Sequence, residues 1–184
     1  MLFRSPNKLY YIETGKIKIY KTSDSGKELI TQLLSPGDFF GYISLIENKV
    51  YDEFAEALEE SSVRIIPRKE FEELISNNHE IALKVIKLLA NNIKEKEQQL
   101  VALAYHSLRK RVADALLTIK KKYVLEESEK FSMAISREDL ANIAGTATES
   151  LIRTLSDFKL EKLIEIKEGK ITILEEKKLA QLVN

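Results

Sequence analysis

The chain of 184 residues contains no cysteine. That removes disulfides, thiolate nucleophiles, Cys-bound zinc and iron–sulfur clusters together. Its two histidines, His79 and His106, stand far apart, which leaves no His-rich metal site. No apolar run approaches the roughly 18 residues of a membrane span, and the opening MLFRSPNK is too short and polar for a signal peptide. An excess of one charge is missing too: 29 Lys+Arg face 29 Asp+Glu, so no basic tail announces nucleic acid. Residues 1–106 carry 14 basic and 16 acidic residues (−2), residues 107–184 carry 15 and 13 (+2), a split too small to argue from. There is no Ser–His–Asp arrangement, no Gly-rich phosphate loop and no cluster of metal ligands. The expectation is a soluble, cytoplasmic protein that is not an enzyme and makes no membrane contact.

What is present is organised in two styles. Tyr10–Ile12 runs to a turn at Gly15, and Lys16–Tyr20 alternates charged and apolar residues, the period of a half-buried strand. Ser23–Gly26 and Ser35–Asp38 carry turn chemistry on either side of a strand at Glu28–Leu34. Phe54–Leu58 and Ser62–Ile66 complete a set of short strands that suggests a small sandwich or barrel. After Pro67 a short helix is expected over 68–76, then a long one from His79 to Tyr105 with no Gly or Pro to break it. Along it Ile86, Leu89, Ile93, Lys96, Leu100 and Leu103 recur in steps of three and four. Length and the narrow stripe favour a two-helix dimer seam over a helix packed only on its own domain. Ser107 caps a further helix, Leu108–Lys122, and a polar stretch, Glu126–Lys130, leads into a C-terminal unit.

That unit reads as a helix-turn-helix with a wing. Ser136 opens a short helix with Leu140, Ile143 and Ala144 on its apolar face, and Gly145 breaks it. Thr146-Ala147-Thr148-Glu149 has the capping-box pattern and starts a second helix, which buries Leu151, Leu155 and Phe158. Thr148, Glu149, Ile152 and Arg153 then point outward. Leu163–Leu174 alternates about a Gly turn, a β-hairpin. Glu149 and Arg153 lie four apart on one face, where Arg153 can bridge guanine O6 and N7 and Glu149 can accept from cytosine N4. Thr148, Ser150 and Lys170 are phosphate contacts, and Ile152 meets a thymine methyl or the groove wall.

In this order the pieces resemble the cyclic-AMP receptor protein/FNR (CRP/FNR) family of transcription regulators. The landmarks are Leu9-Tyr10-Tyr11-Ile12 with Gly15, Pro36-Gly37-Asp38-Phe39-Phe40-Gly41, and the run Gly145 to Leu155. The resemblance implies an α+β protein in three parts: an N-terminal β jelly-roll of the cyclic-nucleotide-binding type (1–78), a dimerisation helix (79–106) and a winged helix-turn-helix (107–184). It also implies a homodimer on double-stranded DNA that contacts RNA polymerase. The family has a helix and a strand ahead of Leu9, whereas eight residues precede it here, so an edge strand is lost, the start is displaced, or upstream sequence belongs to the protein.

The implied effector pocket takes in Gly37, Asp38, Phe39, Phe40, Gly41, Tyr42, Glu53, Phe54 and Lys96. Members that bind cyclic AMP carry a ribose-binding Glu where Tyr42 stands and a phosphate-binding Arg-Ser pair where Glu53 and Phe54 stand. Lys96 and Glu97 replace the small polar residues that meet the base. A carboxylate facing a phosphate repels it, so cyclic AMP is disfavoured and the effector is unknown. The alternative from another class is a small-molecule sensor acting through protein–protein contacts rather than DNA.

Overall fold

A computed structural model of the chain describes residues 7–123, 132–133 and 135–182. The polar stretch Glu126–Lys130 lies outside these. Backbone packing divides the described residues into two compact units, one built from the residues up to Lys27 with Thr31–Gln98, the other from Glu28–Ile30 with Gln99 onward.

The N-terminal strands are β1 (Lys8–Thr14), β2 (Ile17–Thr22), β3 (Glu28–Leu34, of which the first unit takes Thr31 onward), β4 (Phe39–Phe40), β5 (Phe54–Ala57) and β6 (Ser62–Pro67). They form two three-stranded sheets of order β4-β1-β6 and β3-β2-β5. Ile12, Ile17, Ile19 and Leu34 from the two sheets pack together with Phe40 and Val63. Burial of each such aliphatic side chain is worth about 1.5–3 kcal/mol. Gly15 (φ 86°) makes the β1–β2 turn, where a β-carbon would stand 2.6 Å from Glu60 O. The alternation expected in β2 fails at one place. Lys18 is buried between Ile17 and Ile19, its Nζ 3.1 Å from Glu56 Oε2 and over the Tyr20 ring. An opposite charge and a ring face are what make that burial tolerable.

Helices cover the outer side of the β1 sheet. A short α1 (Tyr42–Glu47) and α2 (Arg68–Asn77) bring Tyr42, Leu45 and Phe71 onto Leu9, with Val85, Leu88 and Leu89 of α3 (His79–Tyr105) packed against them. Asn78 Oδ1 accepts from Ile81 N and so starts α3 as a separate helix.

The second unit holds α4 (Leu108–Tyr123), β7 (Ser132–Met133), α5 (Arg137–Ala144), α6 (Thr148–Leu160), β8 (Ile164–Lys167), β9 (Lys170–Ile173) and α7 (Glu176–Ala180). Ser107 Oγ accepts from Lys110 N as the expected cap of α4. Val112, Leu116, Leu140, Leu151, Leu155, Phe158, Ile171 and Leu179 make its core. The division between the units falls within α3, at Gln98–Gln99.

Candidate nucleic-acid interface

Two short helices and a three-stranded sheet present the candidate site. Ser136 Oγ accepts from Asp139 N at 2.9 Å and caps α5. Gly145 ends it in the left-handed region (φ 62°, ψ 46°). The expected capping box at Thr146 does not form. Ala147 is the N-cap of α6 and offers no side-chain bond, while Thr146 N turns back to Ala141 O. Thr146 belongs to the tight exit of α5, a Schellman-type closure, which moves the N-cap of α6 one residue on to Ala147.

On α6, Leu151, Thr154, Leu155 and Phe158 face the core, while Glu149, Ile152 and Arg153 are exposed and Thr148 and Ser150 half-buried. Among the described residues no ion pair ties down the Glu149 carboxylate or the Arg153 guanidinium. Both are available at one face, a turn apart. Such a helix end can offer a donor fork and an acceptor side by side to base edges.

Beside it stands the hairpin. Ile164 pairs with Ile173 and Lys167 with Lys170, leaving Glu168 (φ 49°) and Gly169 (φ 78°) as a two-residue turn of the type that suits right-twisted strands. The third strand, β7, pairs with β9 through Ser132 and Met133; two residues are too few for a periodic signal in the sequence. Lys170 is exposed next to the tip. Arg137, in the first turn of α5, donates to Gly169 O at 3.2 Å and brings a second cation to the wing. Sequence reasoning did not single out Arg137, because nothing local marks its bond to a hairpin 32 residues on.

The expected effector residues separate into two groups. Gly37 (φ 95°) and Asp38 belong to a turn, in which Asp38 Oδ2 accepts from Ser35 N at 2.8 Å and from Ser35 Oγ at 3.1 Å. Phe39 and Phe40 lie on Tyr11 and Tyr10, and Phe54 stacks on Tyr20. Gly41 (φ 82°) is the N-cap of α1. The second group is brought together. The Tyr42 hydroxyl accepts from Asn92 Nδ2, and Lys96 Nζ donates to Thr31 O, each tying α3 to the first unit's own backbone or side chains. Burial raises the Tyr42 pKa above its ordinary value, with Glu53 and Glu95 adding to the rise and bonds from Gln32 and Asn92 opposing it. Burial also raises the Glu53 carboxyl, helped by Asp52 and opposed by Lys21 and Lys96. Lys96 is lowered, again by burial, with Glu53 and Glu95 opposing. Asn92, Gln32 and Thr31 were not legible as partners of these residues, because nothing local in the sequence marks them. Arg64, Arg68 and Lys69 each have their own carboxylate partner: Glu13, Glu72 and Glu73.

The expected seam of α3 is divided by the fold. Ile86, Ile93 and Leu100 are 60, 61 and 66 % exposed. Leu89 packs on the first unit's core, Lys96 turns to Thr31, and Leu103 lies over Gly145. A stripe with steps of three and four therefore remains free, through Leu83, Ile86, Ala90, Ile93, Glu97, Leu100 and Ala104. The seam read from the sequence mixed this face with the inner one, because both carry apolar residues at helical spacing. Among the described residues no helix is long and apolar enough to cross a membrane, and no cluster of metal-ligating side chains occurs.

A β-sheet effector-type domain, a long helix and a winged helix-turn-helix define a class of DNA-binding regulators. Comparison with known proteins agrees at each end: the cyclic nucleotide-binding domain model matches residues 4–78, and the Crp-like helix-turn-helix domain model matches residues 110–182. The chain belongs to the CRP/FNR family of transcription regulators. Among its relatives, the regulatory protein HlyX of Actinobacillus pleuropneumoniae is 29 % identical over 178 residues, covering 94 % of this chain and 74 % of the relative. The anaerobic regulatory protein of Pasteurella multocida is 28 % identical over 169 residues, covering 91 % of this chain. The chain spans only 62 % of that relative's length. In fold it is similar to FixK2 from Bradyrhizobium japonicum, with a TM-score of 0.85 at 24 % identity, covering 98 % of this chain and 89 % of that one.

Proposed function

We propose that the protein is a homodimeric, sequence-specific DNA-binding regulator that reads an inverted-repeat operator and does so without cyclic AMP. The observation that carries this reading is the exposed, unpaired face of α6, with Glu149, Ile152 and Arg153 beside the Lys170 hairpin. Arg153 takes guanine O6 and N7, Glu149 accepts from cytosine N4, and Ile152 meets a thymine methyl. Thr148, Ser150, Lys170 and Arg137 bind phosphates and set the register. The free stripe of α3 supplies the dimer contact through Ile86, Ile93 and Leu100, and α6 of each protomer enters successive major grooves about 34 Å apart. RNA polymerase is the further partner the family suggests.

Independence from cyclic AMP is supported by the second effector group. Tyr42 stands where a ribose would need an acceptor carboxylate, and Glu53 stands where the phosphate would need a cation. A half-buried carboxylate whose pKa is already raised by desolvation is a poor neighbour for a second anion.

The test is selection of duplexes from a randomised pool by the full chain, with and without cyclic AMP. We expect one palindromic sequence family containing G·C pairs, the same in both arms. A pool that returns no preference, with binding that hardly responds to salt, would favour a sensor that works through protein contacts.

A further inference from the structure

The reading helix starts without an anchor of its own. Its N-cap is Ala147, which makes no side-chain bond. What fixes its entry is the turn before it, and that turn is held from outside the helix-turn-helix. A β-carbon on Gly145 would stand 2.5 Å from Leu103 Cδ2 and 3.4 Å from Arg111 Nη1, so the space above the turn is filled by the last turn of α3 and the first turn of α4. Arg111 Nη1 donates to two carbonyls there, Ala144 O at 3.2 Å and Gly145 O at 2.8 Å. These belong to the end of α5, where carbonyls run out of helical partners and the dipole is negative. The guanidinium reaches them at a cost: Arg111 Nε is buried and finds no partner among the described residues. A buried donor left unpaired needs a compensating role, and the pair of charge-assisted bonds supplies it.

We propose that Arg111, seated under Leu103, is the positioning residue of α6: by holding the Gly145 turn it sets the angle at which Glu149 and Arg153 are presented. Only Thr146 and Ala147 separate the held Gly145 carbonyl from Thr148, so a rotation of the turn passes directly into the reading face. Bidentate base contacts tolerate only small misplacement, whereas phosphate contacts through long side chains tolerate more. Loss of the hold therefore lowers discrimination before it lowers affinity for any DNA. The inference rests on the DNA-reading function above.

Two measurements on the full chain separate the parts of this proposal. In Arg111→Met, hydrogen exchange at the bonded amides of Gly145, Thr146 and Leu151 should quicken about tenfold while exchange at 112–119 in α4 stays as in the parent. Arg111→Lys should restore most of the protection, since it keeps a cation at the helix end. In competition anisotropy, the affinity ratio of the pool-selected duplex to its scrambled counterpart should fall about tenfold in Arg111→Met, with the scrambled affinity unchanged. Should Arg111→Met fail to fold, Leu103→Ala uncovers the same turn without stranding a polar group and should give the same two results. Unchanged exchange at Gly145, Thr146 and Leu151, or exchange that quickens equally in α4, overturns the proposal. So does a retained affinity ratio in a variant whose turn has loosened. If the parent chain itself selects no sequence, the DNA reading fails, and the exchange result alone decides whether Arg111 holds the turn.

Discussion

Arg153 and Glu149 show how much a single residue can carry in this molecule. The guanidinium is exposed and has no ion-pair partner among the described residues, so the fold makes little use of it. Arg153→Ala should relax preference at one base pair by about 1–3 kcal/mol and leave dimerisation and melting unchanged. A duplex series with single substitutions measures this, and an unaltered preference would remove Arg153 from the reading face. Glu53 is the opposite case, a charge held against its own interest. Its pKa is raised by burial, so the folded chain binds that proton more tightly than the unfolded one. The stability this contributes is present below the ordinary carboxylate range and is lost as pH rises through the raised value. Glu53→Gln should therefore melt above the parent at neutral pH and converge with it towards about pH 4. Melting curves followed by circular dichroism across that range decide the matter; parallel behaviour would mean that Glu53 keeps its charge at no cost.

At the scale of elements, the turns and the long helix make distinct demands. Glu168 occupies a left-handed position (φ 49°) in the hairpin turn, which asparagine adopts with less strain. Glu168→Asn should raise stability by about 0.5–1 kcal/mol in chemical denaturation without changing scrambled-DNA affinity. On α3, Ile93 sits in the middle of the free stripe at 61 % exposure. Ile93→Asp should leave the protomer folded but yield monomers in sedimentation equilibrium, with loss of palindrome preference. A dimer that survives this change would place the contact elsewhere. These elements differed in how far the sequence announced them. The strand Glu28–Leu34 is legible to its ends because turn residues bound it on both sides, and α3 over its whole length because no Gly or Pro interrupts it. By contrast α1, six residues entered through Gly41 at φ 82°, is too short to show a helical period and was not foreseen.

For the whole molecule the central expectation concerns charge. The formal net charge is zero, so attraction to DNA must come from local groups and not from a general field. Each phosphate neutralised by Arg137, Lys170 and their symmetry mates should add about 0.9 to the slope of log affinity against log salt. Lys170→Gln in both protomers should reduce that slope by about 2 while keeping the preferred sequence. A slope insensitive to this change would take the hairpin out of the interface.

The sequence by itself determined the order of the longer strands and helices, the turn at Gly145, the exposed face of α6 and the exclusion of cysteine chemistry. Each depends on neighbours in the chain: a period, a spacing, a residue type that one backbone conformation requires. Only the tertiary structure decided which half of the α3 stripe stays exposed, why Lys18 is buried, and how Asn92 and Lys96 tie the long helix to Tyr42 and Thr31. It alone showed that Arg111 and Leu103 meet over Gly145, from 34 and 42 positions away in the chain. The reason is physical. A helix with apolar residues on two faces has no local rule for choosing between them, and a polar group's partner is settled by the packing that brings distant segments together.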